Sequence, residues 1–264
     1  MLMYKTKLAF RRPHSLTARI ARRAGRLLGM KSMPTPQELI ATHAPGKSFA
    51  DIGCMWGING ALSFFAEQCE AKHVVAVDVY PATEEFTAEH TRLHSKVQFI
   101  NGDIFETTTL QKIGKVDVVF CSGVLYHMPD PFSLLVRLRA ICGEVLILRT
   151  MIIPEVSGMR NMAVFYPMLE ESQRNHFKLG TGMQKAITGP YEPESGYGNW
   201  FWGLTPSCVE SLLACAGFEV IEEHVEPFIG WFICRAVEPK FTPSSGEYLS
   251  PTDARFVAHL ATSM

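Results

Sequence analysis

Between Ser48 and Gly60 the chain reads S-F-A-D-I-G-C-M-W-G-I-N-G, and this stretch restricts the fold more than any other. Phe49 and Ala50 close a short apolar strand, Asp51 ends it, and Gly53 and Gly57 allow a sharp turn. The run from Ile58 to Phe65 then takes helical spacing. A strand feeding a glycine turn and a helix presents backbone N–H groups and a positive dipole end to a ligand. Glycine suits such a turn because a Cβ would block both the bend and the close approach.

The rest of the chain repeats the alternation of strand and helix. Pro36–His43 predicts a helix ahead of the first strand, and His73–Val77 is a β-branched strand ending at Asp78. A polar helix is expected over Pro81–His94, strands over Val97–Ile100 and Val116–Phe120, a helix over Phe132–Ile141 and a strand over Glu144–Leu148. Thr205 can cap a helix that starts at Pro206 and stops at Gly217. Glu219–Glu223 and Phe228–Val237 then give the last two strands. Continuous apolar strands separated by helices indicate a parallel sheet covered on both faces.

Ligands of such sheets bind beyond the carboxyl ends of the strands. Asp51, Asp78, Asp103 and Ser122 stand at those ends and are weighed together. A carboxylate after the second strand can accept two hydrogen bonds from a ribose diol. Asp103 could accept from an adenine amino group, with Ile104 covering the ring. A nicotinamide dinucleotide fits less well. It needs G-x-G-x-x-G, whereas this turn is G-x-x-x-G with an acidic residue before it, which would repel two phosphates.

These residues together resemble the class I S-adenosylmethionine-dependent methyltransferases over roughly residues 36–237. D-I-G-C-M-W-G is similar to the first motif of that family, with Met55 in place of its middle glycine. The resemblance implies a Rossmann-like, doubly wound α/β fold. Its seven-stranded sheet would be mostly parallel with an antiparallel last strand, and an insertion would precede the final helix–strand unit. It further implies that Asp51, Gly53, Cys54 and Gly57 surround the methionine part of S-adenosyl-L-methionine. By the same pattern Asp78 binds the ribose, and Asp103 with Ile104 holds the adenine. S-G-V-L-Y-H (122–127) and W-x-x-T-P-S (202–207) resemble a narrower branch, the tRNA wobble-uridine carboxymethyltransferases, in which Ser122 and Tyr126 would border the cofactor. Tyr126 could equally fill core. His127 has the ordinary pKa of a general base, ~6.5, and stands near the pocket mouth; orienting the loop or packing is the other reading. No metal is required, since methyl transfer rests on alignment in a dry pocket.

Charge divides the chain unevenly. Residues 1–31 hold nine of the 25 basic side chains and no acidic one, leaving sixteen against twenty-six, a balance of −10. Leu16, Ile20, Ala24, Leu27 and Leu28 recur at helical spacing among the arginines. Such a basic amphipathic helix over 1–35 could touch an anionic membrane surface or nucleic acid, address the chain to an organelle, or dock on its own domain. Seven cysteines without a C-x-x-C pair indicate a reducing compartment and no zinc site. No apolar run reaches the ~20 residues of a membrane span, so the expected location is cytoplasmic or peripheral at a membrane. The insertion, about 150–203, is rich in aromatic residues and can close over the acceptor. The tail, 238–264, has no assigned role.

Three functions follow: methylation of an O or N acceptor on a small molecule or sugar-like metabolite, modification of tRNA, or a partner protein that keeps the cofactor fold without catalysis. The net acidity of the domain opposes tRNA, because nucleic-acid affinity depends on neutralising phosphates.

Overall fold

In the chain order of the computed structural model, α1 (Pro36–His43) precedes β1 (Ser48–Ile52), α2 (Ala61–Gln68) and β2 (His73–Asp78). Next come α3 (Glu84–Leu93), β3 (Gln98–Asn101), α4 (Thr107–Ile113), β4 (Val116–Ser122), α5 (Pro131–Ile141) and β5 (Cys142–Met151). The insertion supplies β6 (Ala163–Phe165), α6 (Glu171–Arg174) and β7 (Trp202–Leu204). The chain then finishes with α7 (Pro206–Ala216), β8 (Phe218–Glu226) and β9 (Ile229–Ala236). The structure describes residues 33–174, 190–226 and 228–238. The basic segment up to residue 32, the middle of the insertion and the tail from residue 239 lie outside the described residues.

Seven strands form one sheet in the order β3-β2-β1-β4-β5-β9-β8. Strands β1 to β5 run parallel, and β9 is antiparallel to both β5 and β8. This is the Rossmann-like, doubly wound arrangement expected from the sequence. The order reverses between β1 and β4, so the crevice where such sheets bind ligands opens there. A second, two-stranded sheet pairs β6 with β7 inside the insertion.

Local chemistry sets the helix ends. Thr35 and Glu38 form a reciprocal capping box ahead of Pro36, an arrangement worth about 1 kcal/mol. Asp130 and Thr205 cap α5 and α7 through Ser133 N–H and Cys208 N–H, each with proline next in line. Gly217 ends α7 in the left-handed region, as its place in the sequence predicts. Two helices differ from expectation. α2 starts at Ala61 rather than Ile58, because Asn59 and Gly60 both take positive φ and extend the turn. A Cβ on Gly60 would lie 2.4 Å from the Phe86 ring, so only glycine lets α3 pack there. α3 begins at Glu84 rather than Pro81, where Thr83 caps it.

The main apolar cluster joins one face of the sheet to α4, α5 and α7, through residues such as Val119, Leu134, Leu138, Leu148, Leu213 and Phe232. Among the described residues no helix is long and apolar enough to cross a membrane.

Candidate functional site

Side chains alternate between the faces of a strand, so the strand register decides which residues can meet. Asp51 pairs with Ala76 on β2 and with Phe120 on β4. Two residues further on, Asp78 and Ser122 therefore share its face. Ser122 pairs with Arg149 on β5, which pairs with Trp231 on β9. Asp78, Ser122, Arg149 and Trp231 thus lie level across the sheet at the carboxyl ends of the parallel strands, and Asp51 joins this row from the same face two residues back on β1.

The glycine turn is tied to the row by its backbone. Gly53 and Cys54 N–H both donate to the Val77 carbonyl, at 2.9 and 3.3 Å. Gly53 has φ +83°, and a Cβ there would lie 2.5 Å from Val124 Cγ2. The turn after β1 consequently presses on the loop after β4. Met55, standing where the related motif has glycine, does not adopt positive φ and buries its side chain. Its N–H donates to Asp78 Oδ2 at 2.7 Å, while Tyr80 N–H donates to Oδ1 at 2.9 Å. Both Asp78 oxygens are held by backbone, and each keeps a lone pair. Gly57 takes positive φ with open space where a Cβ would sit.

Asp51 is 1% exposed and accepts from Ser63 Oγ at 2.7 Å. Burial, opposed by that hydrogen bond and aided by the negative charge of Asp78, raises its carboxyl to about 7. Cys54 is buried beside both acids, and burial followed by their charges pushes its thiol well up. It is inert packing rather than a nucleophile.

The insertion returns to grip the same edge at two points. Tyr197 Oη donates to Asp103 Oδ2 at 2.9 Å, while Phe105 N–H occupies Oδ1. The phenol is pushed to about 12 by burial and by that carboxylate. Ile104 is buried in the main cluster. On the other side His127 Nδ1 lies 2.8 Å from the Asn199 carbonyl. A carbonyl only accepts, so Nδ1 carries the proton and Nε2 the lone pair. Nε2 has no hydrogen-bond partner among the described residues. Burial lowers the His127 pKa, against the raising effect of the Asn199 bond, and keeps the ring neutral. Tyr126 is buried with its ring 4.2 Å from both the His127 and Trp200 rings, and burial pushes its phenol to about 12. Tyr126, Met151, Tyr166 and Trp200 form a separate small apolar cluster beside the row.

The structure therefore gathers all the expected strand-end residues along one edge. It adds three that the sequence reading missed: Ser63 beneath Asp51, Asn199 on His127, and Arg149. The last had a visible signal, as the only charged residue within V-L-I-L-R-T. A cleft lined by Glu155, Met159, Arg160, Ser207, Glu210 and Glu223 is a separate feature, and none of the row residues lines it. Among the described residues no three His, Cys, Asp or Glu side chains gather as a metal-binding group.

Comparison with known proteins supports the same reading. A tRNA U34 carboxymethyltransferase of Campylobacter concisus is 32% identical over 128 residues, 44% of this chain and 40% of the relative's length. The chain thus spans under half of that curated relative. Among solved structures, the N-terminal domain of EvdMO1 in the presence of SAH and D-fucose superposes with a TM-score of 0.51 at 16% identity, covering 84% of this chain and 97% of that one. An O-methyltransferase family protein from Burkholderia thailandensis gives a TM-score of 0.52 at 13% identity, covering 83% and 57%. These two likenesses concern the fold. The FtsJ-like methyltransferase family model matches residues 36–184, more than half of the chain and all of the row up to Arg149, and the chain belongs to that family.

Proposed function

We propose that the chain binds S-adenosyl-L-methionine along the acidic part of the row and methylates an O or N acceptor on a small molecule or sugar-like metabolite. The observation that carries the reading is Asp78. Its carboxylate is fixed in one orientation by Met55 N–H and Tyr80 N–H, with a lone pair left on each oxygen, the acceptor pair that a vicinal diol requires. The donor set fits the nucleoside elsewhere too. Asp51 offers negative charge to a cationic amino acid moiety, and Gly53, Cys54 and Gly57 keep the turn beside it narrow. Asp103 and Ile104 suit an adenine, and Ser122 and Tyr126 border the same edge.

When bound, the cofactor supplies a methyl carbon already made electrophilic by its sulfonium sulfur. The protein's own task is alignment and exclusion of water. Tyr126, Tyr166 and Trp200 give the apolar wall, and the insertion pins it through Tyr197 and Asn199. His127 presents a neutral imidazole with Nε2 unprotonated, able to accept a proton from a hydroxyl or ammonium acceptor.

Calorimetric titration with S-adenosylmethionine and with NAD tests the cofactor. Binding of the former alone is expected, with Asp78→Ala weakening it by ~1–3 kcal/mol through lost charge-assisted hydrogen bonds. Unchanged affinity would put the ribose elsewhere. His127→Gln should leave that affinity intact and lower turnover at neutral pH.

A second reading, modification of tRNA, is favoured by the Campylobacter relative and by the nine basic side chains of residues 1–31. The same basic segment supports contact with an anionic membrane surface. The balance of −10 over the remainder weighs against tRNA as the acceptor.

A further inference from the structure

Arg149 sits where the acidic row gives way to the apolar wall. It is partly buried at the end of β5, with its guanidinium carbon 5.6 Å from the centre of the Trp231 ring. Trp231 is itself buried and leans on Phe120. Stacking of this kind holds the plane of a guanidinium but uses none of its five N–H donors. Among the described residues no carboxylate pairs with Arg149 and no oxygen accepts from it; the Tyr126 phenol is its other polar neighbour. Leaving a cation half-desolvated without an acceptor is costly, so a bound group that supplies one would be held strongly.

The arrangement contrasts with Arg139, the one fully buried arginine among the described residues. Arg139 gives its donors to the carbonyls of Cys142, Gly217 and Val237, as a purely structural cation does. Arg149 has no such set. Position then decides which ligand it serves. Asp51 and Arg149 lie on the same face two strands apart and two residues out of register, about 12 Å at ~4.8 Å per strand and ~3.3 Å per residue. The acids at the β1–β3 end suit a positively charged nucleoside, which a guanidinium would repel. Beyond them lie Ser122, Tyr126 and Arg149, next to the wall of Met151 and Trp200.

From this juxtaposition we infer that Arg149 anchors an anionic group, a carboxylate or phosphate, on the acceptor substrate. The inference rests on the cofactor reading above and narrows it: the acceptor is an acid, with an apolar part against Tyr126, Tyr166 and Trp200. The planar fork of Arg149 can donate to two oxygens side by side while resting on Trp231, and His127 Nε2 carries a lone pair that can take the proton to be removed.

The test uses the full chain saturated with S-adenosylhomocysteine. Benzoate and inorganic phosphate are titrated in while the Arg149 Nε–H resonance is followed, identified as the peak missing in Arg149→Gln. The expected result is a saturable shift of that peak with at least one anion and, by calorimetric titration of the same complexes, an anion affinity about tenfold or more weaker in Arg149→Gln and less weakened in Arg149→Lys, which keeps charge without the fork. Affinity for S-adenosylhomocysteine should stay within about twofold in both variants. Anion binding equal in wild type and Arg149→Gln, or no shift with either anion, overturns the inference and leaves the cofactor reading standing. Failure of the wild type to bind S-adenosylhomocysteine overturns the cofactor reading and this inference together.

Discussion

Burying Asp51 over Ser63 and beside Asp78 raises its carboxyl from 3.8 to about 7. A folded-state pKa above the unfolded value favours the native state at low pH. That contribution is complete below about 4 and is lost as pH rises through about 7. Above neutrality the cost approaches 4 kcal/mol, three pKa units at ~1.36 kcal/mol each. Asp51→Asn should therefore raise the melting temperature relative to wild type at pH 8 and much less at pH 5. The same variant should lose affinity for S-adenosylmethionine, whose cationic end it no longer attracts. A difference in melting temperature that is flat with pH would show that Asp51 is not ionising in the folded protein. Residues of this type are legible from a short local pattern, because a glycine turn and a terminal acid are neighbours in sequence. Ser63 is not, since its partner is set by helix packing, and the lone charge of Arg149 in an apolar strand is visible while its neighbours, set by register across β4, β5 and β9, are not.

Elements formed where the sequence carries a strong period, and β1 to β5 could be placed from their apolar runs alone. α4 escaped notice because T-T-T-L-Q-K-I is rich in poor helix formers and shows only two apolar residues, Leu110 and Ile113, which the sheet face nonetheless buries. The β6–β7 pair was equally hidden, as two three-residue strands joined across most of the insertion leave no periodic signal. The anchors of that insertion are testable. Tyr197→Phe removes one hydrogen bond, to Asp103, worth about 1 kcal/mol. Amide exchange should speed up in residues 193–199 with little change in global stability; unchanged protection there would mean the Asp103 contact holds nothing in place. Arg139 joins α5 to the end of α7 and to the chain after β9 through three carbonyls. Arg139→Met leaves those carbonyls without their donor in a buried setting and should cost ~2–4 kcal/mol by urea denaturation. A loss below about 1 kcal/mol would show that water replaces the guanidinium without penalty.

At the scale of the whole molecule, charge is separated along the sequence more sharply than composition suggests. A net charge of −1 combines nine basic side chains in residues 1–31 with a remainder of −10. Polyanion binding depends on how many phosphates are neutralised, and each releases counterions, so affinity falls with salt at a slope of ~0.7–0.9 per contact. Any affinity of this chain for tRNA must then come chiefly from the first 31 residues, because the rest repels phosphate. Replacing Arg19, Arg22, Arg23 and Arg26 with glutamine removes up to four contacts. The plot of log affinity against log salt, measured by filter binding with tRNA, should become shallower by ~3. Binding of S-adenosylmethionine, proposed above for strand ends in the acidic remainder, should not respond to these four changes. A salt slope that survives replacement of all nine basic side chains of residues 1–31 would locate the phosphate contacts on the domain itself. It would also make tRNA, rather than a small acid, the better candidate for the group that Arg149 awaits.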